Sequence, residues 1–415
     1  MDALTGLTSF ALLAWLALAG WWWLGMRRLP VLTGASAVDA APDGGWPRLS
    51  LVVAARDEAD TIGAALRSWL VQDYPGLEIV IVDDRSQDAT GATVRAVLAE
   101  REVQSAGGGE GAGAPTTVRL ERIEALPDGW LGKTHAQALG ADCAAGEWLL
   151  FADADVRLAP GALRRAVATV LAARADHLAL LPRFDAPGGF GAHLVLAFET
   201  AFALLLTVKL RPWLAPEPSV PTTLGIGAFG LYRRSAYERA GGHRAVRLRA
   251  DDDLALAHDV KAAGGRSLVV FAPALAAVTW YPSLVEALRG LEKNAFAGLR
   301  FSLPLVAAVS AALLATHVLP FAVALAGSGA ARAAGWGVVV VVSLVYAWYG
   351  RRAGAPAWYA LLHPVSVVAL VLALLRSTLA TLVSGRIEWR GTSYDVADLR
   401  RAQRARDQSR NNPRT

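Results

Sequence analysis

Leu7 to Met26 (LTSFALLAWLALAGWWWLGM) runs for twenty residues without a charge. A helix of that length covers the roughly 30 Å hydrocarbon core of a bilayer. A chain that opens this way folds partly against lipid, and every later reading has to accommodate that. Trp21, Trp22 and Trp23 lie near one end, where aromatic belts form, and Arg27 and Arg28 follow. A cleaved signal peptide carries positive charge before its apolar run, whereas only Asp2 stands there. Residues 1–28 therefore read as an uncleaved anchor, with the N-terminus outside and the following chain in the cytoplasm.

Three further apolar runs, Ser302 to Gly327, Trp336 to Tyr349 and Trp358 to Val383, make residues 302–384 a second membrane region of two or three spans. Residues 385–415 form a basic tail. Charge counting places that tail on two incompatible sides. Arg351 and Arg352 put the loop before the last run inside, which sends the tail outside. The tail itself carries eight arginines from Arg386 to Arg414, against Glu388, Asp395, Asp398 and Asp407, and so favours the inside. Another apolar stretch, His193 to Leu210, contains Glu199 and Lys209. A crossing there would split the intervening domain across the membrane, so it reads as an interfacial or a core helix.

Residues 47–300 have ordinary globular composition. The whole chain is 54% hydrophobic and 19% charged, below the roughly 25% charged of soluble domains. That apolar content, without a repeat, excludes disorder, collagen and coiled coil. Cys143 is the single cysteine, so no disulfide framework exists, as suits a reducing compartment. The net charge of +5 is modest and concentrated in the tail, so nucleic acid is not a partner.

The globular stretch alternates strand and helix. Leu49–Ala55 reads as a buried strand, followed by a helix from Asp60 to about Gln72. Leu77–Val82 is a second strand ending in Asp83-Asp84, and Asp88 starts the next helix. Thr117–Ile123, Glu147–Phe151 and His177–Leu181 are further strands, with helices at Thr134–Ala145 and after Pro160; Gly107–Pro115 is a glycine-rich loop. This rhythm predicts an α/β fold, an open and mainly parallel sheet with helices on both faces. Ligands of such sheets bind beyond the carboxyl ends of the strands. Asp83-Asp84 and Asp153-Ala154-Asp155 both stand at such ends.

Two familiar patterns lack their context. Gly225-Ile-Gly-Ala-Phe-Gly230 matches G-x-G-x-x-G, but Pro221-Thr-Thr precedes it and a strand-like Ala228–Tyr232 follows, so it is no dinucleotide fingerprint. Gly132-Lys133-Thr134 ends like a phosphate loop, but Pro127 holds the first glycine position. Asp153-Ala154-Asp155 differs from both. Two carboxylates one residue apart project to the same side of an extended backbone and repel unless a cation lies between them. Mg2+ or Mn2+, held by one or two carboxylates plus phosphate oxygens, meets that need. A surface turn is the plain alternative.

Several segments resemble, in order, the motifs of family 2 glycosyltransferases, whose fold is called GT-A. Val82-Asp-Asp-Arg-Ser-Gln-Asp-Ala-Thr90 is similar to that family's DDxSxDxT segment, whose strand-end Asp pair recognises the base of a nucleotide-sugar. Ala54-Ala-Arg-Asp-Glu58 looks like its first-strand PARNE segment, with Ala54 for Pro and Asp57 for Asn. Leu131-Gly-Lys-Thr-His-Ala136 resembles its GK-x-x-A helix start beside the donor, and Asp153-Ala-Asp155 takes the D-x-D place. Asp252-Asp-Leu-Ala-Leu-Ala-His-Asp-Val-Lys-Ala-Ala-Gly264 resembles its ED-x-x-L-A-x-x-x-K-x-A-G helix. The resemblance spans about Leu49 to Leu299. It implies a GT-A domain flanked by transmembrane helices, with Arg56, Glu58, Asp83, Asp84, Lys133 and Asp153 at the donor. It further implies that Asp155 and Asp153 hold the metal and that Asp253 is the base, tuned by Asp252 or Asp251.

The chemistry calls for such parts. A leaving diphosphate needs a cation to take up its charge. Lys133, at a helix start, offers a second positive element unless it is simply a solvated lysine. An attacking hydroxyl must lose a proton, which a carboxylate can accept; acids in a first helical turn also complement its dipole. One-step displacement on these groups inverts the anomeric centre. The Q-x-x-R-W pattern of processive polysaccharide synthases does not occur. Thr279-Trp-Tyr281 and Arg289-Gly-Leu-Glu-Lys-Asn294 occupy that region, with Trp280 and Tyr281 facing sugar or lipid or else packing in the core. With LPDGWLGK and Trp389-Arg-Gly-Thr-Ser-Tyr394, they look most like the glycosyltransferases associated with hopanoid and carotenoid pathways. The expectation is a multi-pass cell-membrane enzyme with a cytoplasmic catalytic domain. It would transfer one sugar from a nucleotide-sugar to a polyisoprenoid-type lipid. A processive synthase and a non-catalytic membrane scaffold are the alternatives.

Overall fold

The computed structural model describes residues 2–33, 42, 45–106, 116–291, 295–299, 301–389, 392–395 and 401. The Gly107–Pro115 loop, the Glu292–Asn294 end of the segment after Tyr281 and most of the basic tail lie outside them. The chain divides into two units. Gly25–Asp185 and Leu210–Thr279 form an α/β unit; the described residues within Met1–Leu24, Ala186–Lys209 and Trp280–Thr415 form an apolar helical unit. The sequence reading kept 47–300 together, whereas Ala186–Lys209 and the chain from Trp280 group with the apolar helices.

The α/β unit is built on seven strands: β1 Leu49–Ala55, β2 Glu78–Asp84, β3 Thr117–Ile123, β4 Trp148–Asp153, β5 His177–Leu181, β6 Gly230–Arg233 and β7 Ser267–Phe271. Their order is β3-β2-β1-β4-β6-β5-β7. All neighbours run parallel except β6, which is antiparallel to both β4 and β5. Inner strands such as β1, β4 and β5 read as apolar runs because both faces are covered, while the edge strand β3 (TVRLERI) carries Arg119, Glu121 and Arg122; the period of two sorts the side chains. Leu49, Leu51, Val53, Ile79, Ile81, Trp148 and Leu150 pack on one face with helices Ile62–Leu70, Thr90–Ala106 and Ala162–Ala172. Val52, Val80, Val82, Leu149 and Phe151 pack on the other with helices Gly132–Cys143 and Asp252–Ala262. The two helices that begin with Lys133 and Asp252-Asp253 therefore share one face of the sheet.

Gly140 sets how closely the first of these helices docks. A Cβ there would stand 2.4 Å from Val52 Cγ1 and 3.2 Å from Val82 Cγ2. At its other end, Leu131 N–H donates to the Arg247 carbonyl at 2.8 Å and Thr134 Oγ1 to the same oxygen at 2.8 Å. These bonds fix the helix start beside the segment that leads into Asp251.

The apolar unit contains helices Ala3–Met26, Phe190–Leu210, Leu303–Ala326, Gly329–Ala353 and Ala357–Ser384. All five are long and apolar enough to cross a membrane by length and composition. Phe10, Leu13, Leu325, Leu344 and Val383 face outward, as side chains do that meet lipid. Polar bonds tie the helices where lipid offers no partner. Trp15 Nε1 donates to the Thr316 carbonyl (2.8 Å) and Trp22 Nε1 to Thr207 Oγ1 (2.9 Å). His363 joins His317 and Tyr346 at 3.0 Å each. Phe190–Leu210 differs from the other four in connectivity. β4 and β5 precede it and β6, which pairs with both, follows it. One sheet cannot lie on both sides of a bilayer, so this helix does not make a single crossing.

The close approach at Gly140 yields a graded test. Gly140→Ala and Gly140→Val should lower the thermal midpoint of detergent-solubilised protein in that order. The overpacking cost for Val is about 1–3 kcal/mol. Equal midpoints across the series would contradict the docking described for this helix.

Candidate active site

Each acidic or basic candidate sits where the sheet runs out. Arg56 and Glu58 lie in the loop after β1, Asp83 and Asp84 end β2, Asp153 ends β4 and Asp155 follows two residues later. Lys133 lies in the first turn of Gly132–Cys143, and Asp252 and Asp253 open Asp252–Ala262.

The first two loops are tied together by side chains whose cross-loop bonds the sequence did not reveal. Asp57 takes a left-handed conformation (φ +54°), which Asn and Asp tolerate better than most residues. Its N–H donates to Ser86 Oγ (3.0 Å), and its Oδ1 accepts from Gln87 N–H (2.8 Å). The acceptor oxygen that an Asn would present is thus kept by Asp. Glu58 N–H donates to Thr90 Oγ1 (2.8 Å) and Ala59 N–H to Asp88 Oδ2 (2.9 Å). Ser86, Asp88 and Thr90 are therefore cross-ties, and their regular spacing was the only signal of it.

Asp83 and Asp84 are almost fully buried and both are engaged. Asp83 accepts from Ser86 N–H (3.0 Å) and from Arg122 Nη1 (3.2 Å), a partner the sequence had not singled out. Asp84 accepts from Arg85 Nε (2.7 Å) and Nη2 (3.1 Å). A Cβ on Gly132 would fall 2.2 Å from Asp84 Oδ2. The glycine before Lys133 is what lets β2's last carboxylate approach that helix.

Lys133 Nζ donates to Asp153 Oδ1 at 2.6 Å. It is half-buried and ion-paired, which removes the reading of it as a solvated lysine. Burial opposes its charge, but Asp153, Asp252 and Asp253 together hold its pKa above the ordinary lysine value. The pair presses on Gly227, where a Cβ would stand 2.7 Å from Asp153 Oδ2 and 2.9 Å from Lys133 Nζ. At Gly225 a Cβ would meet the Asp253 carbonyl oxygen at 2.0 Å. The pattern that is no dinucleotide motif thus supplies one bare backbone position against the Asp153–Lys133 pair and one against the backbone of the Asp253 helix start. Nothing in its spacing reveals which groups come near.

Asp155 is pushed up to about 7, first by burial and then by the like charges of Asp153 and Glu58. The three aspartates of 251–253 separate in role. Asp251 is gripped by Arg249 through two bonds of 2.7 and 2.6 Å. Asp252 is buried, and its Oδ2 has no hydrogen-bond partner among the described residues. Asp253 is half-buried, with Oδ1 accepting from the N–H of Leu254 at 2.7 Å. Burial raises the pKa of both Asp252 and Asp253, and Lys133 pulls it back. Lys261, in the same motif, donates to the carbonyls of Leu214, Ala215 and Thr222 and so anchors a loop.

A strand-end Asp pair, a D-x-D and an acidic helix start thus stand at the carboxyl edge of the sheet, with Lys133 bonded to the Asp153 of the D-x-D. Residues 50–241 match the model of the family described as Glycosyl transferase family 2. The chain carries a family 2 glycosyltransferase domain. Over 140 residues it is 34% identical to the succinoglycan biosynthesis protein ExoO of Rhizobium meliloti. That alignment covers 34% of this chain and 33% of the relative, so the chain spans about a third of it. The mannosyltransferase PcManGT of Pyrobaculum calidifontis, solved in complex with GDP-Man and Mn2+, superposes with a TM-score of 0.54 at 20% identity. It covers 90% of this chain and 98% of its own. That likeness extends the shared fold well beyond the family-matched segment, past Asp251–Asp253 and into the apolar helices.

Asp155 makes the glycosyltransferase domain's stability depend on pH. Its ordinary pKa is 3.8 and its folded value about 7. Between these values the folded state keeps a proton that the unfolded state has lost, so stability falls as pH rises through the window. Without divalent metal, Asp155→Asn should melt above wild type at pH 8, at about 2–4 °C per kcal/mol regained. The difference should vanish below pH 4; a gap unchanged with pH would refute the crowding of Asp155.

Proposed function

We propose that the chain is a membrane-anchored, inverting, metal-dependent glycosyltransferase. It moves one sugar from a nucleotide-sugar to a lipid acceptor of polyisoprenoid type. The observation that supports this most is the enclosure of Lys133 by Asp153, Asp252 and Asp253, with Asp155 crowded by Asp153 and Glu58. Carboxylates so close in a half-buried edge need positive charge, and a donor diphosphate with its cation brings both signs at once.

The donor set fits a hard divalent ion. No group of three or more metal-binding side chains exists among the described residues, so Asp155 and Asp153 would hold Mg2+ or Mn2+ with the remaining positions left to phosphate and water. When bound, the ion takes up charge on the leaving diphosphate. Lys133 can exchange Asp153 for a phosphate oxygen. Asp83 and Asp84, with Arg56 and Glu58 in the neighbouring loop, line the end where a base would sit. Asp253, more open than Asp252 and not gripped like Asp251, is the group to accept the acceptor's proton. Asp252 beside it keeps the pair from ionising twice. One displacement on this layout inverts the anomeric centre.

The α/β unit has both its ends joined to apolar helices. An acceptor carrying its own tail needs no polymer channel, because the tail stays in the bilayer and only the headgroup reaches the base. We place the catalytic domain on the cytoplasmic side, where nucleotide-sugars are made and where Arg27 and Arg28 favour it.

Asp155→Ala should abolish Mn2+-dependent donor binding in calorimetry while the fold persists, since a half-exposed carboxylate carries little packing. Asp253→Asn should lower turnover by at least about 10²-fold with donor affinity kept; wild-type turnover would move the base elsewhere. With radiolabelled nucleotide-sugar and membranes, label should migrate as one lipid band. Label retained at the origin and released by polysaccharide hydrolases would favour processive synthesis instead.

A further inference from the structure

Leu303–Ala326 is not a regular helix throughout. Pro320 has no N–H, so the Thr316 carbonyl one turn earlier loses its helical partner. Leu314–Val318 widens into a π turn there, and Trp15 Nε1, from the first helix, takes the Thr316 carbonyl at 2.8 Å. In lipid a backbone group released in this way has to find a partner within the protein. The π turn carries His317, whose ring meets Trp15 edge-on at 4.9 Å and bonds His363 at 3.0 Å. Beside these rings lies a cavity with about 420 Å³ of empty space, its open side included. Ala19 and Trp22 of the first helix, Leu204 of Phe190–Leu210 and Tyr346 of Gly329–Ala353 contribute to its wall, and all its lining residues belong to the apolar unit. An apolar void costs stability, and π turns are rare features that recur at functional sites.

The wall suits hydrocarbon. Trp15 Nε1 is spent on Thr316 and Trp22 Nε1 on Thr207 Oγ1, while His317, His363 and Tyr346 bond one another. A resident water needs several polar partners, and these side chains are already matched to protein; apolar cavities stay dry and take apolar guests. Trp15 and His317 stand near the middle of helices of membrane length, so the part of a lipid within reach is its chain and not its headgroup. We propose that this cavity binds one acyl chain of a bilayer phospholipid, held between the first helix and the π turn by packing alone. A wall that bonds no headgroup favours whichever chain is most concentrated in the bilayer, and that is the phospholipid acyl chain. The site is independent of the glycosyl transfer proposed above.

A phosphatidylglycerol with a diazirine midway along one acyl chain tests this on the full chain in detergent. After irradiation and digestion, label on residues 15–22 and 204–208 should saturate and be competed by unlabelled phosphatidylglycerol. Label on Phe10, Leu325 and Val383, which face outward, should rise with lipid without saturating. Ala19→Leu puts a branched side chain into the cavity and should cut the saturable label about tenfold, the loss of roughly two methylenes of chain contact. Saturable label that survives in folded Ala19→Leu would overturn the site. So would wall label in wild type that neither saturates nor is competed, and that measurement stands by itself if the variant does not fold. Stronger competition by farnesol than by phosphatidylglycerol would give the cavity to an isoprenoid tail and refute the acyl-chain assignment.

Discussion

Like charges crowded at the end of a sheet are the constraint on which the rest of the α/β unit depends. Asp153, Asp155, Asp252, Asp253 and Glu58 come from three different loops and helices, and burial makes Asp155, Asp252 and Asp253 more costly to ionise. Lys133 offsets part of that cost, through a 2.6 Å bond to Asp153 and its field on Asp252 and Asp253. A fold that ends its strands this way is less stable than it could be, and on the proposed function a cation with phosphates relieves that strain. The supporting features follow from the same need. Gly132 and Gly227 lack side chains because the carboxylates of Asp84 and Asp153 occupy the space a Cβ would take, and Gly225 because the Asp253 backbone does.

Precision at that edge comes from bonds among loops rather than from the strands. Ser86, Asp88 and Thr90 lock the loop after β1 to the one after β2. The Arg247 carbonyl holds the start of the Lys133 helix. Lys261 gathers three carbonyls of the loop that returns from the long apolar helix. A side chain that moves by an ångström at a reacting centre changes rates strongly, so on the proposed function these ties fix where the reacting groups stand.

The apolar unit follows a different rule. Its helices turn large apolar residues outward and keep a few polar bonds inside, among them the His317–His363–Tyr346 chain. Glu199 breaks that economy, since one of its oxygens has no partner among the described residues.

The strands were legible in the sequence because their patterns are local. Leu49–Ala55 and His177–Leu181 could be bounded to the residue, since each is a short apolar or β-branched run between turn formers, and Thr117–Ile123 could be bounded from its β-branched ends. The family's motifs were legible too, because chemistry fixes residue type and order. Three things were decided only by the tertiary structure. Which acid of Asp251–Asp253 stays open depends on Arg249, a partner whose geometry no spacing reveals. The value of Gly225 and Gly227 depends on atoms far away in sequence, the Asp253 backbone for the first and the Asp153 and Lys133 side chains for the second. The grouping of Phe190–Leu210 with the apolar helices, and the bar to its crossing the membrane once, come from β6 pairing back onto β4 and β5. Sequence carries what neighbours along the chain impose, while contacts between distant segments exist only once the chain has folded.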